Sequence, residues 1–203
     1  MARQRDLMIS WKLNLVFVSI LIAICIFGCK NDKSVSIPRQ EAFPRMELQY
    51  DTTYKCVYVP FNLQVNENVK LNAENMDAEK AGFSVRYDKY SATLYCSFYK
   101  GLSKDSLNTI LQRRYTRIAL DLGEANADTY RLENEKNNCS AVIVYSEQNC
   151  ATPVHFVATD SCRNVVSGVV VMDKIYNYDS IAPVINYLNH DVAHMINNIK
   201  FEN

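Results

Sequence analysis

Near the C-terminus the run HDVAH sets His190 and His194 four residues apart with Asp191 directly after the first, the spacing of the H-E-x-x-H metal motif. Two imidazoles one helical turn apart can share a metal, and a carboxylate in the second position can serve as general base. The surrounding pattern argues against that use. Ile181, Val184, Ile185, Leu188, Val192, Met195, Ile196 and Ile199 recur at helical spacing. With Leu188 at the centre of that apolar face, both histidines fall about 200° and 240° around, on the opposite side. Exposed or structural histidines are therefore expected, with no metal and no catalytic residue assigned. A metal-dependent enzyme using His190, Asp191 and His194 is the minor alternative.

The remaining histidine, His155, alternates with apolar Val154 and Phe156 in a strand pattern. Asp160 and Ser161 are adjacent turn formers, and nothing sets a nucleophile beside the imidazole, so a hydrogen-bonded sheet histidine is expected. Glycine usage excludes nucleotide chemistry of the common kinds. Gly82, Gly101, Gly123 and Gly168 are widely separated, so neither a P-loop, a dinucleotide fingerprint nor a G-x-S-x-G elbow can be written, and no cofactor is expected. The 13 tyrosines cluster in YDKYSATLYCSFY and YNY. They suit either a recognition surface for glycans or peptides or, preferably, ring packing with wet hydroxyls.

These residues need elements to hold them. Ser103 can cap a helix running to about Leu122, with Leu107, Ile110, Leu111 and Ile118 inward and Gly123 as its stop. Its polar side carries Arg113, Arg114 and Arg117, a solvated face in the first instance and otherwise a surface for an acidic partner or lipid headgroups. Strand patterns surround that helix. RMELQY and YKCVYVP are expected to pair around Asp51-Thr52-Thr53, and FSVRY and SATLYCSFY around Asp88-Lys89-Tyr90. The Asn-rich stretch between the hairpins reads as irregular, with a short helix at its end. A weak strand, ADTYRLEN, precedes the polar turn NEKNN and three strands, SAVIVYS, TPVHFVATD and NVVSGVVVM. Their nearly continuous apolar runs call for helices on both faces of the sheet. The last segment is the clearest helix, capped by Asp179 or Ser180 with Pro183 in its first turn. The class is α+β: a mostly antiparallel sheet packed by a middle helix and a C-terminal amphipathic helix.

The N-terminus is read differently. Arg3, Arg5 and Lys12 precede an apolar stretch from Leu13 to Phe27, about 15 residues long, where a membrane-spanning helix usually needs about 20. Ile26-Phe27-Gly28-Cys29 resembles the lipobox of bacterial lipoproteins. The resemblance implies that residues 1–28 are a signal peptide and that Cys29 becomes an N-terminus carrying a diacylglycerol thioether and palmitate-type acyl chains. Two or three such chains, at roughly 0.8 kcal/mol per buried methylene, hold a protein on a bilayer without spanning it. An uncleaved single-pass anchor is the alternative. Residues 29–44 then form a lipidated tether that reaches about 50 Å when extended, and residues 45–203 a single globular domain. Lys30 stands where an aspartate retains some lipoproteins on the inner membrane. The outer membrane, facing the periplasm, is therefore preferred over the outer leaflet of the inner one.

Beyond residue 28 the chain has 19 Lys and Arg against 21 Asp and Glu, so it lacks a basic footprint for nucleic acid. Cys56, Cys96, Cys139, Cys150 and Cys162 follow Cys29, with no C-x-x-C pair to suggest zinc or thioredoxin-like chemistry. Among the three cysteines of the late strands, Cys139 and Cys162 fall at one end of the meander and are the pair favoured for a disulfide. Free thiols or small buried hydrophobes are the equal alternative.

Together with Cys29, the segments Phe43-Pro44, KYSATLYCSFY, PVHFVATDS, VSGVVV and above all DSIAPVINYLNHDVAHMI make the chain similar to the GldD family of gliding-motility-associated lipoproteins from Bacteroidota. The resemblance implies a periplasm-facing envelope lipoprotein that works with the gliding and secretion machinery, with no catalytic residues to carry over. It does not imply that the organism glides. A small-molecule, glycan or peptide binding protein is the alternative function. The order of elements is also similar to the PsbP/Mog1-type α/β/α sandwich, a likeness of fold alone.

Overall fold

The computed structural model describes residues 48, 53–59, 61–74, 80–123, 127–174 and 178–201, all within the unit Arg45–Asn203. Residues 1–28, Cys29, the tether, nearly all of the strand read at 45–50 and the short helix read before Gly82 lie outside the described residues.

Among the described residues, nine strands and two long helices follow in order: β1 (Tyr54–Tyr58), β2 (Asn62–Asn66), β3 (Lys70–Glu74), β4 (Lys80–Tyr87), β5 (Ala92–Tyr99), α1 (Lys104–Leu122), β6 (Ala127–Asn134), β7 (Cys139–Ser146), β8 (Val154–Thr159), β9 (Val165–Met172) and α2 (Tyr178–Asn197). Strands β3 to β9 form one antiparallel sheet in the order β3-β4-β5-β9-β8-β7-β6, and β1 with β2 forms a separate hairpin. The fold is α+β.

Two meanders meet at the centre of the sheet, where β5 pairs with β9 in the register Leu94 to Val170 and Cys96 to Gly168. The β4–β5 and β6–β7 connections are built alike. Each is a 3-10 turn, Asp88–Tyr90 or Glu135–Asn137, closed by a left-handed residue, Ser91 or Asn138. Asn tolerates that conformation readily.

Period-2 alternation sorts the side chains between the two faces. Phe83, Val85, Leu94, Phe98, Ile143, Phe156 and Val170 point to one face and are buried beneath α2 and the hairpin. The eight apolar positions read on the last helix are all buried there, each worth about 1.5–3 kcal/mol relative to exposure. On the other face α1 packs Leu107, Ile110, Leu111 and Ile118 against Val157 and Val165. Its ends are as expected: the Ser103 hydroxyl accepts from the Ser106 amide, and Gly123 stops the helix at φ 59°.

Two sequence expectations are corrected, and the strand pairing around β1 extends beyond the one expected. β1 pairs forward with β2, Cys56 opposite Gln64, while the partner expected for it at 45–50 lies almost wholly outside the described residues. The Asn-rich stretch supplies β2 and β3, because Leu63, Val65, Val69 and Leu71 are apolar positions that its asparagines obscure. Asn66 itself bends the chain, its side-chain oxygen accepting from the Asn68 amide. Lastly, α2 begins at Tyr178, so Pro183 is its sixth residue and lies inside the helix. There it removes the amide that would bond the Asp179 carbonyl.

Candidate functional site

Asp191 is the charged residue that α2 turns inward. It lies about 60° from Leu188 on the same wheel that places the histidines outward, and it is 4% exposed. The Tyr87 hydroxyl donates to its Oδ2 at 2.6 Å. Burial raises the Asp191 carboxyl above the ordinary range, and hydrogen bonds from Tyr87 and Tyr54 act against that rise. The Tyr87 hydroxyl is in turn pushed well above its usual value by burial and by the neighbouring Asp191.

The two histidines of the H-D-x-x-H run have different settings. His190 is exposed, whereas His194 is half-buried, stacked on the Tyr54 ring at 3.6 Å with Nε2 3.1 Å from Gln64 Oε1. The β1–β2 hairpin provides that cover through Tyr54 and Gln64. Among the described residues, no group of three or more His, Cys, Asp or Glu side chains is placed to hold a metal. The network instead ties the hairpin to α2, together with Asn66 donating to the Tyr187 hydroxyl at 2.7 Å.

A pH test follows from Asp191. A carboxyl whose folded pKa lies above its unfolded value favours folding most when protonated, below the unfolded value near 3.8. That advantage is lost as pH rises through the folded pKa. Asp191→Asn is expected to be more stable than the parent at pH 7 in urea unfolding, with the gain shrinking toward pH 3.8. A loss of stability at pH 7 would show that the ionised carboxylate is held favourably.

Asp160 and Ser161 do not approach His155; they form the β8–β9 turn at the far end of β8. Asp160 Oδ1 accepts from the amides of Cys162, Arg163 and Asn164, each at 2.9 Å, and Oδ2 accepts from Asn164 Nδ2 at 2.6 Å. Burial would raise this carboxyl, but those bonds hold it below its ordinary value. Ser161 takes the left-handed conformation. Cys139 and Cys162 are at the same end of the meander, as Ser140 pairs with Thr159. The bridge favoured for them is not formed: both are free thiols, Cys139 buried and Cys162 exposed. Burial pushes the Cys139 thiol up to about 11.

His155 has a different setting, beneath α1. It is 2% exposed, and burial lowers its pKa against the opposing pull of Asp121 and a bond to the Thr152 backbone. Its Nε2 has no hydrogen-bond partner among the described residues. The ring borders a cleft of about 120 Å³ that Tyr95, Ser97 and Ser167 line from the sheet and Arg114, Arg117, Ile118 and Asp121 from α1. The register explains the floor: Ser97 faces Ser167, and Val169 lies between Tyr95 and His155. Arg117 is paired with Asp121 at 3.0 Å. Arg114 donates to the Tyr99 hydroxyl and lies over that ring, while Arg113 is exposed. Of the tyrosine cluster, Tyr87 and Tyr90 are core residues and Tyr95 is 53% exposed. Sequence reading did not find this cleft, whose residues come from four elements; the serines at alternate strand positions opposite one another were its only signal.

A family model of the gliding motility lipoprotein GldD matches residues 33–201. The chain belongs to the GldD family. That span takes in every described strand and both long helices, so this α+β domain is a fold of GldD lipoproteins. Membership makes it a gliding-motility-associated lipoprotein of the cell envelope. No curated protein matches the chain. Among the described residues, no helix is long and apolar enough to cross a membrane.

Proposed function

We propose that this GldD-family chain is a non-catalytic assembly or interaction component of the gliding motility and secretion machinery. It is held by acylated Cys29 on the outer membrane and faces the periplasm. The family match over residues 33–201 carries the reading. The titratable groups that might have served catalysis have other settings: Asp191 bonds Tyr87, Asp160 closes a turn, and His155 Nε2 bonds neither serine beside it. A surface of the right kind for a protein partner lies on the outer side of α1. There Leu120 is 73% exposed, on a stripe shared with Thr109, Gln112, Arg113 and Thr116. Burying such an apolar residue amid polar neighbours is how interfaces are commonly built.

Attachment can be tested apart from fold. Cys29→Ser is expected to leave the circular dichroism spectrum and melting temperature of the domain unchanged. The protein should move from the outer-membrane fraction to the soluble periplasm or an unprocessed precursor. A serine variant that is still acylated and sediments with the outer membrane would overturn the anchor. Parent protein found only with the inner membrane would overturn the assignment to the outer one.

A further inference from the structure

We infer that the cleft between α1 and the sheet is a binding site for a small hydroxylated monocarboxylate of the uronic-acid type. The inference goes beyond the assembly role and does not depend on it.

The observation that points to a ligand is His155. Its side chain is almost wholly buried, and Nε2 has no partner on any described residue, an arrangement that is costly to leave unmade. The other ring nitrogen bonds the Thr152 backbone, which fixes the proton there and leaves Nε2 as an acceptor. Burial lowers the pKa of the ring and so favours its neutral form. A group that fits Nε2 is therefore a donor, and a ligand hydroxyl is one. Ser97 and Ser167 stand opposite each other on the cleft floor. Among the described residues neither hydroxyl is hydrogen-bonded, so both can donate to or accept from further ligand hydroxyls.

Charge sets the rest. Arg117 is compensated by Asp121, whereas Arg114 has no ion-pair partner among the described residues and is steadied on the cleft wall by Tyr99. One uncompensated guanidinium suits one carboxylate, which it can hold through two parallel N–H bonds. The Asp121 carboxylate on the same wall disfavours a doubly charged phosphate. Tyr95 and Ile118 add apolar surface for the C–H face of a sugar ring.

Titration calorimetry on the full mature chain, with sodium glucuronate as probe and glucose and inorganic phosphate as controls, tests this. One glucuronate per chain is expected, bound at least about tenfold more tightly than either control. Arg114→Gln is expected to abolish the preference over glucose, and Ser167→Ala to weaken glucuronate several-fold while leaving the melting temperature unchanged. His155→Phe, if folded, should weaken both sugars. The inference is overturned by an absence of saturable heat at about 10 mM glucuronate, by equal affinity for glucose, by tighter binding of phosphate, or by unaltered binding in folded Arg114→Gln and Ser167→Ala.

Discussion

Gly168→Ala should lower the melting temperature by about 6–12 °C, the equivalent of about 3 kcal/mol in a domain of this size. Gly168 lies at the centre of β9, between Cys96 of β5 and Phe156 of β8. A Cβ there would sit 2.3 Å from Phe156 Cε1, 2.8 Å from its Cζ and 3.0 Å from Cys96 Sγ. The ring cannot swing away, since Phe156 is 1% exposed and enclosed by the α2 side of the core. Its edge occupies the space above a residue without a side chain. Alanine disfavours strands only slightly, so a loss of this size isolates the clash from backbone effects. Shortening Phe156 to leucine in the same chain should recover part of the loss, because the two substitutions act on one volume. Additive losses in thermal unfolding would show that the ring and the glycine are not coupled.

The second large effect is expected at the β8–β9 turn. Asp160→Ala removes the acceptor for three amides and one side-chain amide at once, which should cost about 3 kcal/mol at pH 7. The sign with pH is opposite to that at Asp191. A carboxyl whose folded pKa is depressed contributes stability above its unfolded value, near 3.8, and loses it as pH falls through the folded one. Urea unfolding of the parent and Asp160→Ala should therefore differ most at neutral pH and converge in acid. Asp160→Asn should lie between them, keeping an acceptor without the charge. A constant difference down to low pH would place the contribution in packing and not in the carboxylate.

Local rules accounted for what neighbouring residues decide. Ser103 and Gly123 bracket α1 because a hydroxyl that reaches an amide three residues on and a glycine free to take positive φ are short-range devices. The β4–β5 and β6–β7 hairpins were also legible, since a turn-forming segment, Asp88-Lys89-Tyr90 or NEKNN, separates two strand patterns in each. Pairing of β1 was not. β2 is obscured by its asparagines, and Phe61 just before it is buried against Phe83, Phe98 and Phe201, far along the chain.

The candidate site was legible only in pieces. His155 was recognised as a strand histidine, but its unpartnered Nε2 depends on where α1 crosses the sheet. Asp191 was read as a motif member when its direction on the helix already pointed to the core. Its companions Tyr87 and Tyr54 come from strands more than 100 residues away, and single-sequence periodicity carries no record of such contacts.

In-cell crosslinking of the full acylated chain, followed by purification from the envelope and mass spectrometry, addresses its role most directly. A component of the gliding and secretion machinery should recover proteins of that machinery, and fewer of them when Cys29→Ser detaches it from the membrane. Recovery of the chain alone, with the machinery assembling normally in cells that lack it, would contradict the assembly role.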